Sequence, residues 1–130
     1  MNKSLEEYKA FINGLLDWPQ SSIGARRAKE GIWNVNELPE QEKFNRLLKE
    51  LTPKQRETLA DMLQQEHDGG IFAVLAYLTS EINIGGLRLV RNGIELAVEP
   101  YGTEMYYDWI CRRGGDEWPE HQLEERYKTE

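Results

Sequence analysis

Asn92-Gly93 lies between two short apolar runs, and few dipeptides constrain a chain as tightly. Both central residues of a type I′ turn need positive φ, which glycine adopts freely and asparagine tolerates. A two-residue turn also fixes register: Arg91 faces Ile94, Leu89 faces Leu96 and Leu87 faces Val98. Strand alternation then puts Leu87, Leu89, Ile94, Leu96 and Val98 on one face, with Arg88 and Glu95 on the other. Residues 87–98 are therefore read as one antiparallel β-hairpin with an apolar face.

A lone hairpin is marginal in water, so other elements must cover that face. The rest of the chain supplies helices. Ser4-Leu5-Glu6-Glu7 reads as a capping box, followed by Leu5, Tyr8, Phe11, Ile12, Leu15 and Leu16 at three- and four-residue spacing up to Asp17. Residues 18–37 are the least regular segment, with a short helical turn over Ser22–Glu30 and Ile23, Ile32, Trp33 and Val35 as anchors. Pro39 opens a second helix striped by Phe44, Leu47, Leu48 and Leu51. Thr52-Pro53-Lys54-Gln55 is a second capping box, and its helix is expected to stop before Gly69-Gly70. Asp68 then caps a fourth helix to about Ile82, apolar almost all round and so expected at the centre of the fold. Thr103–Arg113 reads as a helix closed by Gly114-Gly115. Leu123 and Tyr127 mark one further helix in the charged segment 115–130. The expected fold is α+β and predominantly helical: about five or six helices with one hairpin at 87–98, in a single globular domain over 1–130.

Charge narrows the partners. The net charge of −7 argues against nucleic acid or an anionic membrane. Only residues 1–36 lean basic, with four acids against five bases. Cys111 is the single cysteine, which rules out an intrachain disulfide and suits a reducing cytoplasm. The first residues lack an apolar signal core, and the apolar run Ile71–Leu78 is too short to span a bilayer. In size and acidity the chain resembles many small acidic bacterial proteins.

No catalytic constellation emerges. His67 and His121 are 54 residues apart, without local ligand pairs, so no metal and no cofactor is expected. His67 reads as the C-terminal residue of its helix. Ser21, Ser22 and Ser80 lie in no nucleophile-elbow setting. Cys111 has cationic neighbours in Arg112 and Arg113 but follows Trp109 and Ile110, which favours an inert buried thiol. Glu104 and Asp108, four apart on one helix, read as a solvated acidic face.

Two clusters are left as binding candidates. Tyr101, Tyr106, Tyr107, Trp109, Arg112, Arg113 and Trp118 combine the residue types that dominate interaction hot spots. Trp109 is expected inside, and at least one of Tyr101, Tyr107 and Trp118 partly exposed. Ser22, Arg26 and Arg27 could hold an anion at a helix N-terminus. The expected function is a non-enzymatic protein-interaction module of adaptor, regulator or toxin-neutralising type. Its partner is another protein, and a homo-oligomer is allowed. The alternative is a small-ligand-binding protein or enzyme, with an anion pocket between Ser21–Lys29 and Tyr101–Arg113.

Overall fold

The computed structural model describes residues 2–18, 21–36 and 38–121. Among them are five α-helices and one two-stranded antiparallel sheet, a mostly helical α+β fold. Helix α1 spans Lys3–Asp17, α2 Ile23–Glu30, α3 Glu42–Glu50, α4 Pro53–Ser80 and α5 Met105–Arg113. Strand β1 is Val90–Arg91 and β2 is Ile94–Glu95. A 3₁₀ turn at Pro39–Gln41 leads into α3, and a π turn at Glu81–Gly85 follows α4. The chain gathers into two compact units: Met1–Pro19 with Ile71–Glu130, and Gln20–Gly70. Leu123 and Tyr127, the stripe of the last expected helix, lie outside the described residues.

In the first unit, Tyr8, Ile12, Leu75, Leu96, Met105 and Trp109 form the buried core. Helix α1 is capped two residues earlier than expected. Asn2, not Ser4, is the N-cap, and its side chain accepts the Leu5 amide at 3.0 Å. Asparagine caps as well as serine does, so the earlier residue takes the role. Ser4 is used otherwise: its carbonyl accepts the Ala97 amide at 3.1 Å, tying the hairpin to α1.

The hairpin register matches the reading of the turn. Arg91 pairs with Ile94, and the Leu96 amide donates to Leu89 at 2.9 Å. Asn92 and Gly93 have φ of 53° and 76°, as a type I′ turn requires. The regular ladder is only two residues long on each side. Leu89, Ile94 and Leu96 turn inward, whereas Leu87 and Val98 at the open end stay exposed. The tip is held by Glu7, which accepts from Arg91 at 2.6 Å and from Asn92 at 3.3 Å. The bond from Arg91 holds the Glu7 carboxyl below the usual range. We expect Gly93→Val to cost about 1–3 kcal/mol through its φ alone, since no atom lies within 4 Å of the added Cβ. An unchanged melting temperature would rule out the positive-φ turn.

The expected third and fourth helices are one helix, α4, which runs unbroken through Gly69 and Gly70. Glycine lowers helix propensity by only about 1 kcal/mol, and nothing in the helix after Pro53 removes a backbone donor. Asp68 is therefore no cap and accepts from Gln64 one turn earlier, at 3.1 Å. His67 lies inside the helix and not at its end. The start of α4 is as expected: Thr52 and Gln55 exchange side-chain-to-amide bonds of 3.1 and 2.9 Å. No atom lies within 4 Å of a Cβ built on Gly69 or Gly70. Gly69→Ala and Gly70→Ala should each stabilise the protein by about 0.5–1 kcal/mol in urea unfolding. A loss would mean that these positions need glycine.

The C-terminal stretch of α4 is buried on one side only. Ile71, Leu75 and Leu78, with Ile82 in the π turn beyond, are spaced four, three and four apart and face the core. Val74 and Tyr77 are 60% and 63% exposed. A small unit offers a helix one wall, so apolar residues around the remaining circumference stay in solvent.

The second unit has a smaller core of Ala28, Leu48 and Ala60. In segment 18–37 the short helical turn expected over Ser22–Glu30 is α2, capped by Ser22 and ended by Gly31 at φ 81°. Trp33 alone among the four expected anchors packs on this core, whereas Ile23, Ile32 and Val35 are exposed. Asn45 fixes the following loop: its Oδ1 accepts the amides of Trp33 and Asn34 at 2.7 and 3.0 Å. Of the α3 stripe, Leu48 is buried while Phe44 and Leu47 are exposed.

Candidate functional site

Helix α5 carries most of the aromatic–arginine cluster, and the structure turns it largely inward. Trp109 is fully buried and Tyr101 nearly so. Tyr106 packs edge-on to Phe72 at 4.5 Å. Trp118 is half-buried and held from several directions. Its indole donates to Asn13 Oδ1 at 3.2 Å, and its ring lies 6.0 Å from Tyr8 and 5.7 Å from Tyr101. The Arg112 guanidinium stacks on it at 4.5 Å, and Lys9 approaches it at 5.8 Å. The other arginine of the cluster, Arg113, stacks on Trp109 at 5.1 Å. These contacts close a core around α1 and α5. Tyr107 is the exposed aromatic of the helix; its hydroxyl bonds the half-buried Cys111, which raises its pKa.

Asp108 departs most from the sequence reading. It is 2% exposed, not solvated. The Tyr8 hydroxyl donates to Oδ2, and the Thr103 hydroxyl donates to Oδ1 at 2.6 Å. Burial pushes the Asp108 carboxyl above the usual carboxylate range, against the lowering influence of both hydroxyls and Arg112. Burial, with Asp108 alongside, likewise drives the Tyr8 phenol well above its ordinary value. Glu104 is exposed and precedes α5 without a side-chain cap. Two hydroxyl donors satisfy a carboxylate that no solvent reaches, and this triad is a packing device of the core. The spacing of Asp108 from Met105 and Trp109 on one helix was its only sequence signal of burial.

The cavity of this unit lies elsewhere. A cleft of about 220 Å³ opens between the hairpin, the end of α4 and the start of α5. Its apolar wall includes Ile82, Leu87, Leu89, Leu96, Val98 and Met105. Two polar pairs edge it: Asn83 donates to Glu99 Oε2 at 2.8 Å, and Arg88 pairs with Glu95. Glu99 has φ of 42°, a strained value for a residue with a Cβ, and the surrounding contacts, the Asn83 bond among them, must offset that cost. Thr79 completes the lining; it is 6% exposed, and its hydroxyl has no hydrogen-bond partner among the described residues. None of these groups belonged to either cluster read from the sequence. The hairpin was visible there, but not what its open end faces.

The anion candidate folds differently from a cradle. Ser22 is buried, with its hydroxyl accepting the Ala25 amide at 3.1 Å and its own amide donating to Gln64 at 2.8 Å. The N-terminus of α2 is thus capped from within. Arg26 and Arg27 are exposed along a groove of about 230 Å³ shared with Glu30, Trp33 and Asn34, and Arg27 lies 5.9 Å over the Trp33 ring. Ser22, Arg26 and Arg27 fall in the Gln20–Gly70 unit, and Tyr101–Arg113 falls in the other. Among the described residues no three His, Cys, Asp or Glu side chains gather as metal ligands, and no helix is long and apolar enough to cross a membrane.

Comparison with known proteins returns no match among curated proteins and none among solved structures. A family model does match, over residues 1–120, so nearly all of the chain is covered. The chain therefore belongs to the family of unknown function DUF6547.

Proposed function

We propose that this protein is a non-enzymatic binding module that holds another protein through the cleft beneath its hairpin. The carrying observation is the cleft itself: an apolar wall drawn from the hairpin, the end of α4 and the start of α5, with a polar rim. Binding sites for drug-sized molecules run from about 300 to 1,000 Å³. At about 220 Å³ this cleft is below that range and suits one anchoring side chain of a protein partner. The strand beside it adds a second foothold. Because Arg91–Ile94 and Leu89–Leu96 are the bonded pairs, the Val90 amide and carbonyl point away from β2. Val90 is exposed, so an extended partner segment can pair with that edge. The acidic balance of the chain favours a basic partner surface. This reading keeps the protein-interaction function expected from the sequence and moves its surface from the aromatic cluster to the hairpin.

The test uses the two exposed side chains at the open end of the hairpin. Tagged wild-type protein, incubated with extract of the cells that make it, should retain one protein in stoichiometric amount. Leu87→Arg and Val98→Arg, which fill the cleft mouth without touching the core, should fold as wild type and lose it. Retention by both variants would put the binding surface elsewhere, with Tyr107 and Arg26 the next positions to change. Recovery of a small molecule in place of a protein would overturn the reading.

A further inference from the structure

Two neighbouring arginines of the second unit are left without an acid. Arg46, Arg88 and Arg91 each pair with a glutamate, in a chain with 23 acids and 16 bases. The guanidinium groups of Arg26 and Arg27 have no ion pair and no hydrogen bond among the described residues. Both side chains are exposed along the groove of about 230 Å³, and Glu30, the carboxylate in its lining, bonds to neither. Arg27 lies over the Trp33 ring at 5.9 Å, a contact that uses none of its N–H donors.

The same groove is lined by Ile32 and Val35, which are 47% and 79% exposed. Their loop is fixed by its own hydrogen bonds. Asn45 Oδ1 accepts the Trp33 and Asn34 amides, Asn45 Nδ2 donates to the Asn34 carbonyl at 2.8 Å, and Asn34 Oδ1 accepts the Asn36 amide at 2.7 Å. The two apolar side chains are thus held facing solvent, and a surface fixed in advance has little left to order on binding.

Charge selects the occupant. A guanidinium takes a carboxylate or a phosphate through two N–H donors. The chain as a whole, at −7, repels a long polyanion such as nucleic acid or an anionic membrane. A short anionic segment is instead governed by charges within the screening length, about 8 Å at physiological salt. Within the groove lining the bases Arg26 and Arg27 outnumber the acid Glu30. Ile32 and Val35 beside them favour an anion that carries apolar groups of its own, as a peptide does and a free phosphate does not.

We infer that this groove docks an acidic segment of a partner protein, its carboxylates on Arg26 and Arg27 and its neighbouring apolar side chains against Ile32 and Val35. The site belongs to the second unit and does not depend on the hairpin cleft. The probe is a blocked tetrapeptide of two aspartates and two leucines, made in both orders and titrated at low salt against the full chain. Its controls replace aspartate with asparagine or leucine with serine. The readout is the NMR shift of the Ile32 and Val35 methyl groups. The better aspartate–leucine peptide should bind roughly tenfold tighter than its asparagine counterpart, the value of two exposed ion pairs. It should also bind tighter than its serine counterpart. Arg26→Gln with Arg27→Gln should bind the aspartate and asparagine peptides alike, whereas Arg27→Lys should keep a preference for aspartate. Should the double variant melt lower through loss of the contact with Trp33, Arg26→Gln alone decides. It should melt as wild type and bind the aspartate peptide roughly threefold more weakly. Equal binding of the aspartate and asparagine peptides by wild type, or unmoved Ile32 and Val35 methyls, would overturn the inference. So would an undiminished preference in either glutamine variant. A serine counterpart that binds as tightly, or inorganic phosphate that displaces the peptide at equal concentration, would make the groove a plain anion site and overturn it too.

Discussion

Truncating Leu75 to alanine should lower the stability of the protein by about 2–5 kcal/mol, while Val74→Ala, one residue earlier, should cost under about 0.5 kcal/mol. Leu75 is 3% exposed and packs in the core of the first unit, so its loss removes transfer energy and leaves a void. Val74 lies on the solvent side of the same helix. Leu78→Ala should fall between the two, because Leu78 is only partly buried. Lys43→Ala, on exposed surface of α3, serves as a neutral reference. Chemical denaturation of the four variants gives the comparison. Similar midpoints for Leu75→Ala and Val74→Ala would show that the helix is not packed on one side.

Asp108→Ala should cost about 2–4 kcal/mol, although an aspartate four residues from a glutamate has the outward signs of a surface residue. The change leaves the Tyr8 and Thr103 hydroxyls without their acceptor, and Tyr8 is fully buried. Part of this loss is offset, because the carboxylate no longer has to be desolvated. Asp108→Asn keeps an acceptor and drops the charge, so its loss should be the smaller. The pH dependence follows from the same pair. Burial raises the Tyr8 pKa in the folded state above its unfolded value, so the stability it contributes is complete below about pH 10. That stability falls by about 1.4 kcal/mol per pH unit as the unfolded phenol ionises above pH 10 and the folded one does not. Asp108 follows the same sign at lower pH: its raised pKa makes its contribution decline as pH rises from about 4 through the folded value. Tyr8→Phe should flatten the alkaline decline relative to wild type. An equal alkaline slope in the two proteins would mean that Tyr8 is not buried as described.

The buried triad and the cleft both show where the residue pattern stops being informative. Tyr101, Tyr106, Trp109 and Trp118 have the composition of an interaction hot spot, and composition is all that a list of residues conveys. In the structure they pack against one another and against Tyr8, a residue about 100 positions away in sequence. Asp108, four residues from Glu104, reads from the sequence as a solvated acid, and nothing in the pattern singles out Thr79. Only neighbours from other elements make one a buried acceptor and the other a hydroxyl without a partner.

What the sequence determined by itself is what adjacent residues decide among themselves. Asn92-Gly93 fixed the turn and, through it, the pairing of Arg91 with Ile94 and Leu89 with Leu96. Thr52 and Gln55 set the start of α4, and Gly114-Gly115 the end of α5. These are hydrogen bonds and torsional preferences spanning a few residues, and their energies do not depend on the rest of the fold. The tertiary structure decided everything that depends on desolvation. It carried α4 through two glycines, chose which side of that helix meets the core, and buried Asp108 under Tyr8. It also left a cleft at the open end of the hairpin, whose apolar face the helices cover only in part. Burial of apolar surface is non-directional and sums over residues distant in sequence, so its outcome is set by which surfaces meet and not by any local pattern.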